Sequence, residues 1–336
     1  MLEKNNIKMI EEIKNIIISS RNKIAYEVNN TMISAYWNVG RIIVENEQNG
    51  NIKAEYGKQI IRELSKELRN VLGTGFSVSN LFNMRKFYIT YPKFQTVSGK
   101  LSWSHYCELL SIQNEDERNF YEKECINSNW SVRELKRQLE TSLFERLLLS
   151  DGKNNKEKVY ELSKEGQTLS KPDDILKEPY VLEFLDIKEQ KPILERDLER
   201  KLIKHMEDFL LELGKGFMFV GTQQRITLGN THYYVDMVFY NKILKCYVLI
   251  DLKIGGMKPE YAGQMNMYLN YYNAEVNDEY DNRPIGIILC KNKKEVAMEY
   301  ALGGLENNVF ASTYTYYIPN KEQLISEVEK VLDENK

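Results

Sequence analysis

Two domains of different class are predicted for this chain of 336 residues. The first is an all-helical N-terminal domain. The second is of the α/β or α+β class, with elements in the order αβββαβ, then a helix and a strand, around a mixed sheet. Three observations carry this expectation. Through residues 1–149 apolar residues recur at three- and four-residue spacing, and no strand-like alternation of comparable length interrupts them. The polar stretch SDGKNNKEK over 150–158 has the Asp-Gly and Asn-Asn chemistry of a linker. Beyond residue 191, helical patterning alternates with short runs rich in Val, Ile, Phe and Tyr. The expected organisation is a helical domain over 1–149, a linker and connector over 150–190, and an α/β domain over 191–336.

In the helical half, IKMIEEIKNIIISS and YGKQIIRELSKELRNVL carry the helical period. Gly73 and Gly75 end the second of these helices. Ser79 is the expected cap of NLFNMRKFYITY, and Pro92 follows its end. Helix, glycine-containing turn, helix is the layout of a helix-turn-helix, whose second helix would offer Asn80, Asn83, Arg85 and Lys86 to a groove or to phosphates. Any αα-hairpin shares that outline. From Lys58 to Lys100 the chain carries eight basic residues against two acidic ones, so a nucleic-acid surface or a solvated helix face would fit there. Ser131 and Glu134 form a capping box that opens a helix through SVRELKRQLETSLFERLLL.

In the second half, KPDDILKEPYVLEFLDI over 171–187 reads as a partly apolar connector docked on one domain. LERDLERKLIKHMEDFLLELG is expected to be one amphipathic helix, apolar at Leu198, Leu202, Met206, Phe209 and Leu213 and closed by Gly214. Two strand-like runs, FMFVGTQQRITL and THYYVDMVFY, flank Gly229-Asn230, a two-residue hairpin signal. A turn at Asn241–Leu244 then leads to KCYVLIDLK. A helix from about Glu260 to Asn273, the strand PIGIILC, the helix KKEVAMEYAL, the strand VFASTYTYYI and a last helix complete the order.

Hydrophobic content of 42% and charged content of 28% are ordinary for a globular protein. The longest apolar runs fall short of the ~20 residues a bilayer needs, and the charged N-terminus shows no apolar signal-peptide core. The four cysteines are widely spaced with no CxxC pair, so reduced thiols in the cytoplasm are expected. Net charge is −3, and no phosphate-cradling nucleotide motif is present.

The strand-like segment HYYVDMVFYNKILKCYVLIDLK contains Asp236, Asp251 and Lys253. Alternation places His232, Tyr234, Asp236, Val238 and Tyr240 on one face and Tyr233, Val235, Met237 and Phe239 on an apolar one. The turn brings Asp236 opposite or diagonal to residues 250–251, where facing Cβ atoms lie about 5 Å apart. Two carboxylates at that range need a shared proton, a salt bridge to Lys253, or a divalent metal. A hard ion suits them best: Mg²⁺ takes oxygen ligands and is commonly held by one or two carboxylates plus a substrate phosphate. The Leu252 carbonyl, between Asp251 and Lys253, adds another oxygen.

D-x14-D-x-K across a hairpin, after a helix with a central Glu and before a helix carrying Gln264-Met-Asn-Met-Tyr268, resembles the PD-(D/E)XK nuclease superfamily. The Q-x3-Y element resembles its RecB-like branch. More narrowly, FVGTQQRITLGNTHYYVDMVFYNKILKCYVLIDLKIGGMKPEYAGQMNMYLN, GFSVSNLFNMRKFYITYP, NWSVRELKRQLE and EPYVLEFLDI are similar to a family of bacterial two-part proteins. In these, a helical N-terminal domain precedes a nuclease domain with a restriction-endonuclease-like core. The resemblance implies a Mg²⁺- or Mn²⁺-dependent deoxyribonuclease acting in DNA processing, restriction or defence. It also implies DNA as partner, a homo-oligomer such as a dimer, restriction or defence-system proteins as further partners, and no membrane. Asp236 matches the first metal-binding aspartate. Asp251 matches the (D/E) position, where the family more often carries Glu. Lys253 matches the catalytic lysine, and Gln264 and Tyr268 the supporting pair. Glu199 is the candidate first-helix acid, with Glu195 as its rival. Gly255-Gly256 permits the turn into the next helix and would also let a phosphate backbone approach closely, Lys258 would either touch phosphate or be solvated, and the literal Pro172-Asp173-Asp174 lies in the connector without a supporting DxK. The alternative reading is a nuclease fold that does not cut and serves as a binding or assembly subunit.

Overall fold

The computed structural model describes residues 2–49, 54–94, 99–150, 156–187, 193–292 and 308–334. The chain divides into two units, Met1–Lys136 and Arg137–Lys336. The first holds α1 (Leu2–Asn49), α2 (Ala54–Leu72), α3 (Val78–Thr90), α4 (Trp103–Leu109), α5 (Glu115–Ser128) and the start of α6 (Val132–Glu140). Gly73, at φ 91, and a short 3-10 turn over Thr74–Phe76 join α2 to α3. Ser77, not Ser79, caps α3: it has the extended backbone a cap requires and its side chain accepts from the Asn80 amide. Ile43, Ile61, Leu81 and Met84 pack together as this unit's core. Helices α1 and α3 meet at Gly40, where a Cβ would lie 2.0 Å from the Met84 carbonyl oxygen. The Ser131–Glu134 capping box is formed in both directions.

The helix expected through 131–149 is broken. α6 ends at Glu140, Ser142 takes φ 53, and α7 (Leu143–Ser150) begins again. The fully buried Arg146 guanidinium bonds the Thr141 carbonyl and hydroxyl that the break leaves free. It also donates to Glu212 Oε1 at 2.5 Å, and Arg137 reaches Glu212 Oε2 at 3.2 Å. These charges draw 137–150 into the second unit, so the division falls earlier in the chain than residue 149.

After α8 (Lys156–Glu165) the connector adds a strand of its own, β1 (Tyr180–Val181), which the sequence pattern does not announce. The single helix expected over 194–214 is two, α9 (Glu195–Lys204) and α10 (Met206–Leu213), separated by His205 at φ −110 and ψ 38. The break keeps both apolar pairs, Leu198 with Leu202 and Phe209 with Leu213, in one buried cluster on the sheet.

The remaining elements are β2 (Phe217–Leu228), β3 (Thr231–Asn241), β4 (Cys246–Gly256), α11 (Pro259–Tyr271), β5 (Ile285–Asn292), β6 (Asn308–Thr315) and α12 (Lys321–Glu334). The helix expected at KKEVAMEYAL lies outside the described residues. The strands form a mixed sheet in the order β1-β6-β5-β4-β3-β2. β2, β3 and β4 run antiparallel, and β4, β5, β6 and β1 run parallel. One sheet face buries Met237, Phe239, Val248, Ile250 and Leu252 beneath α9 and α10. The other buries Val238, Leu249 and Ile288 beneath Met265, Tyr268 and Leu269 of α11. Each such aliphatic side chain contributes ~1.5–3 kcal/mol when fully removed from water, so the strands are firmly held where they carry the site.

Candidate active site

The β3–β4 hairpin is closed as its turn chemistry requires. Asn241 pairs with Cys246, and the Asn241 side chain accepts from the amides of Ile243 and Leu244. This register puts Met237 opposite Ile250. One residue further out, strict alternation fails. Met237 and Phe239 face α9 and α10, yet Val235 lies with Val238 in the cluster beneath α11, with Tyr233 packed against it. The expected face of Tyr233, Val235, Met237 and Phe239 is therefore split at Asp236. Opposite this point Gln223 adopts a left-handed backbone, φ 48, between the pairs Thr222–Met237 and Gln224–Val235. The irregular step frees Asp236 from the pleat.

Asp236, Asp251 and Lys253 are brought together. The Asp236 carboxylate accepts from the Leu252 amide at 2.8 Å and lies within hydrogen-bonding reach of Asp251. Lys253 Nζ stands 2.6 Å from Asp251 Oδ2 and 5.0 Å from the centroid of the Tyr261 ring. Asp251 is only 4% exposed. Burial, then the neighbouring Asp236, pushes its carboxyl up to about 6 against the pull of Lys253. Burial opposes charge on Lys253, but Asp251 outweighs it and holds the ammonium above its ordinary value.

Glu199, from α9, is buried and reaches this group through Gln223, whose Nε2 donates to both Glu199 oxygens at 3.1 Å. The same nitrogen lies 3.1 Å from Asp236 Oδ1. Burial and then Asp236 raise the Glu199 carboxyl, with the Gln223 bond opposing. Its rival Glu195 accepts instead from the Ile254 amide at 3.3 Å. Gln223 had no signal in the sequence: in FMFVGTQQRITL it reads as one polar strand residue among several. On α11, Gln264 donates to the Tyr268 hydroxyl, which donates onward to the Tyr234 carbonyl. Lys258 precedes α11 and lies 5.7 Å from the Tyr261 ring. Pro172-Asp173-Asp174 forms a 3-10 turn in which Asp174 bonds Ser170 and Lys171.

In the helical unit, the expected DNA-facing side chains are largely engaged within the unit. Asn80 bonds Gly75 and Trp103, Asn83 bonds Cys107, and Arg85 pairs with Glu47 at 2.8 Å. Lys86 is exposed.

Among the described residues, no three His, Cys, Asp or Glu side chains gather into a cluster that would hold an ion by themselves. The donor set nevertheless fits a hard cation. A buried carboxylate and a half-buried one meet here, and the part of the Asp251 shift that comes from Asp236 is repulsion that a cation would relieve. Without divalent ions, a raised carboxyl favours the folded state below the ordinary carboxylate range, and that stability is lost as pH rises through about 6. The contribution is on the order of 2–3 kcal/mol. Urea unfolding in EDTA should show wild-type stability falling across this window relative to Asp251→Asn. Parallel pH profiles would refute the assignment.

The YhcG PDDEXK nuclease domain family matches residues 173–329, and the DUF1016 N-terminal domain family matches residues 12–146. The chain is 38% identical to "Putative nuclease YhcG" of Escherichia coli (strain K12) over 345 residues, covering 93% of this chain and 91% of that one. Among solved structures, a repair endonuclease from Pyrococcus abyssi is similar at 16% identity and TM-score 0.26, over 38% of this chain and 49% of that one. An EndoMS–dsDNA complex is similar at 12% identity and TM-score 0.26, over 40% and 51%. The chain thus spans about half the length of each of these two structures. No described helix is long and apolar enough to cross a membrane.

Proposed function

The chain belongs to the family that joins a DUF1016 N-terminal domain to a YhcG PDDEXK nuclease domain, and on that footing we propose that it is a deoxyribonuclease that works with Mg²⁺ or Mn²⁺. The observation that carries this reading is the convergence of Asp236, Asp251 and Lys253 at the irregular step of the sheet. Asp236 and Asp251 would hold the ion, with the Leu252 carbonyl and Glu199 as further oxygens. A bound divalent ion supplies an acidified water and neutralises charge on the scissile phosphate. The Lys253 ammonium orients that water or meets charge developing on the phosphate oxygens. Tyr268, anchored on the Tyr234 carbonyl, fixes Gln264 beside the site. Lys258, near the site, and Lys86 of α3 are the proposed phosphate contacts. Arg62, Lys66 and Arg69, exposed along α2 in the same unit as Lys86, are further candidates there. A cytoplasmic dimer acting in DNA processing, restriction or defence completes the proposal, since paired cuts in duplex DNA take two sites.

The test is cleavage of end-labelled single-stranded, duplex and branched DNA by the full chain, with Mg²⁺, with Mn²⁺ and with EDTA. Products in the metal lanes and none with EDTA are expected. Binding without metal-dependent cleavage on all three substrates would leave the non-cutting scaffold as the function.

A further inference from the structure

Three features coincide at Gln223. Its own backbone is left-handed, φ 48, a conformation uncommon outside glycine. It faces Asp236, where the alternation of β3 breaks. Its amide nitrogen sits 3.1 Å from both oxygens of Glu199 and from Asp236 Oδ1. Glu199 belongs to α9, whose Leu198 and Leu202 are buried on one sheet face, while Asp251 faces the α11 side. Two carboxylates from separate elements would repel at this range. A neutral N–H donor between them supplies the attraction that lets both remain.

From this geometry we infer that Gln223 is a positioning residue: its side-chain amide ties Glu199 of α9 to Asp236 and so completes the oxygen set around the Asp236–Asp251 pair. Gln223 is itself exposed, so its amide reaches the two carboxylates from the solvent side of the strand. The inference uses the nuclease reading only for the consequence of the link, not for the link itself.

Gln223→Gly is the informative change, because glycine accepts the left-handed backbone without strain and removes only the amide arm. Gln223→Asn is its companion: asparagine also tolerates that backbone, but its arm is one methylene short of bridging both carboxylates. Two measurements on the full chain are needed. The first is ion-free urea unfolding of wild type, Gln223→Gly, Glu199→Ala and the double variant. Loss of the amide should lower the folding equilibrium constant about fivefold in wild type and by clearly less in the Glu199→Ala background, where only the Asp236 contact remains to be lost. The second is Mn²⁺ titration by calorimetry, in which both Gln223 variants should bind roughly tenfold more weakly. Additive effects in the unfolding cycle would overturn the link, as would wild-type Mn²⁺ affinity in both Gln223 variants. A coupled cycle in a wild-type protein that binds no Mn²⁺ would uphold the link and count instead against the metal-dependent nuclease.

Discussion

Changing Lys253 to alanine is expected to lower DNA cleavage at least about a hundredfold, the loss typical when a preorganised donor to a developing charge is removed. The ammonium is half-buried, 2.6 Å from Asp251 Oδ2 and over the Tyr261 ring, so its position is set by two neighbours rather than by solvent. DNA affinity should barely move, since the phosphate contacts proposed above lie elsewhere. Arginine is not expected to rescue the rate, because a planar fork cannot reproduce a compact point charge. Asp251→Ala should be as damaging as Lys253→Ala, since it removes one of the two carboxylates. Asp251→Glu, which keeps the charge on a longer arm, should keep activity. Single-turnover cleavage and DNA anisotropy on the same samples decide it. A Lys253→Ala enzyme cutting at the wild-type rate would remove this residue from the chemistry.

Glu212→Ala should destabilise the second unit by about 3–5 kcal/mol, the usual result of removing one partner of a buried ion pair. The Glu212 side chain is fully buried and accepts from Arg146, Arg137 and the Val181 amide. Lys177, also buried, donates to the Glu212 backbone carbonyl. Burial alone would raise this carboxyl, but Arg146, Lys177 and Arg137 together lower it from 4.5 to about 2. A depressed carboxyl stabilises the fold above its ordinary value, and that stability is lost as pH falls from about 4.5 toward about 2. The loss is on the order of 3 kcal/mol. Glu212→Gln keeps the shape without the charge, and its stability should change less with acid. Urea unfolding at neutral and acid pH measures both effects. Equal acid slopes for wild type and Glu212→Gln would show that this network does not govern acid stability.

Much of this protein could be read before folding. The hairpin at Gly229-Asn230, the turn at Asn241, the capping box at Ser131 and the spacing of Asp236, Asp251, Lys253, Gln264 and Tyr268 are all legible. Each rests on neighbours in sequence, on turn chemistry, or on a period of 2 or 3.6 residues. The tertiary structure alone decided what depends on distant partners. Glu212 is 66 residues from Arg146, and their pairing draws 137–150 into the second unit. β1 is two residues long and exists because β6 offers it an edge. His205 interrupts a continuous helical pattern so that both apolar pairs reach the sheet. The break in alternation at Asp236, with Gln223 left-handed across from it, arises where Glu199 of α9 and Asp236 of β3 share one amide donor and Asp236 neighbours Asp251 of β4. The sequence by itself determined which charges the hairpin carries and that they converge. How they meet, with Gln223 between two of them, was settled by packing and by the repulsion of like charges, which no local pattern encodes.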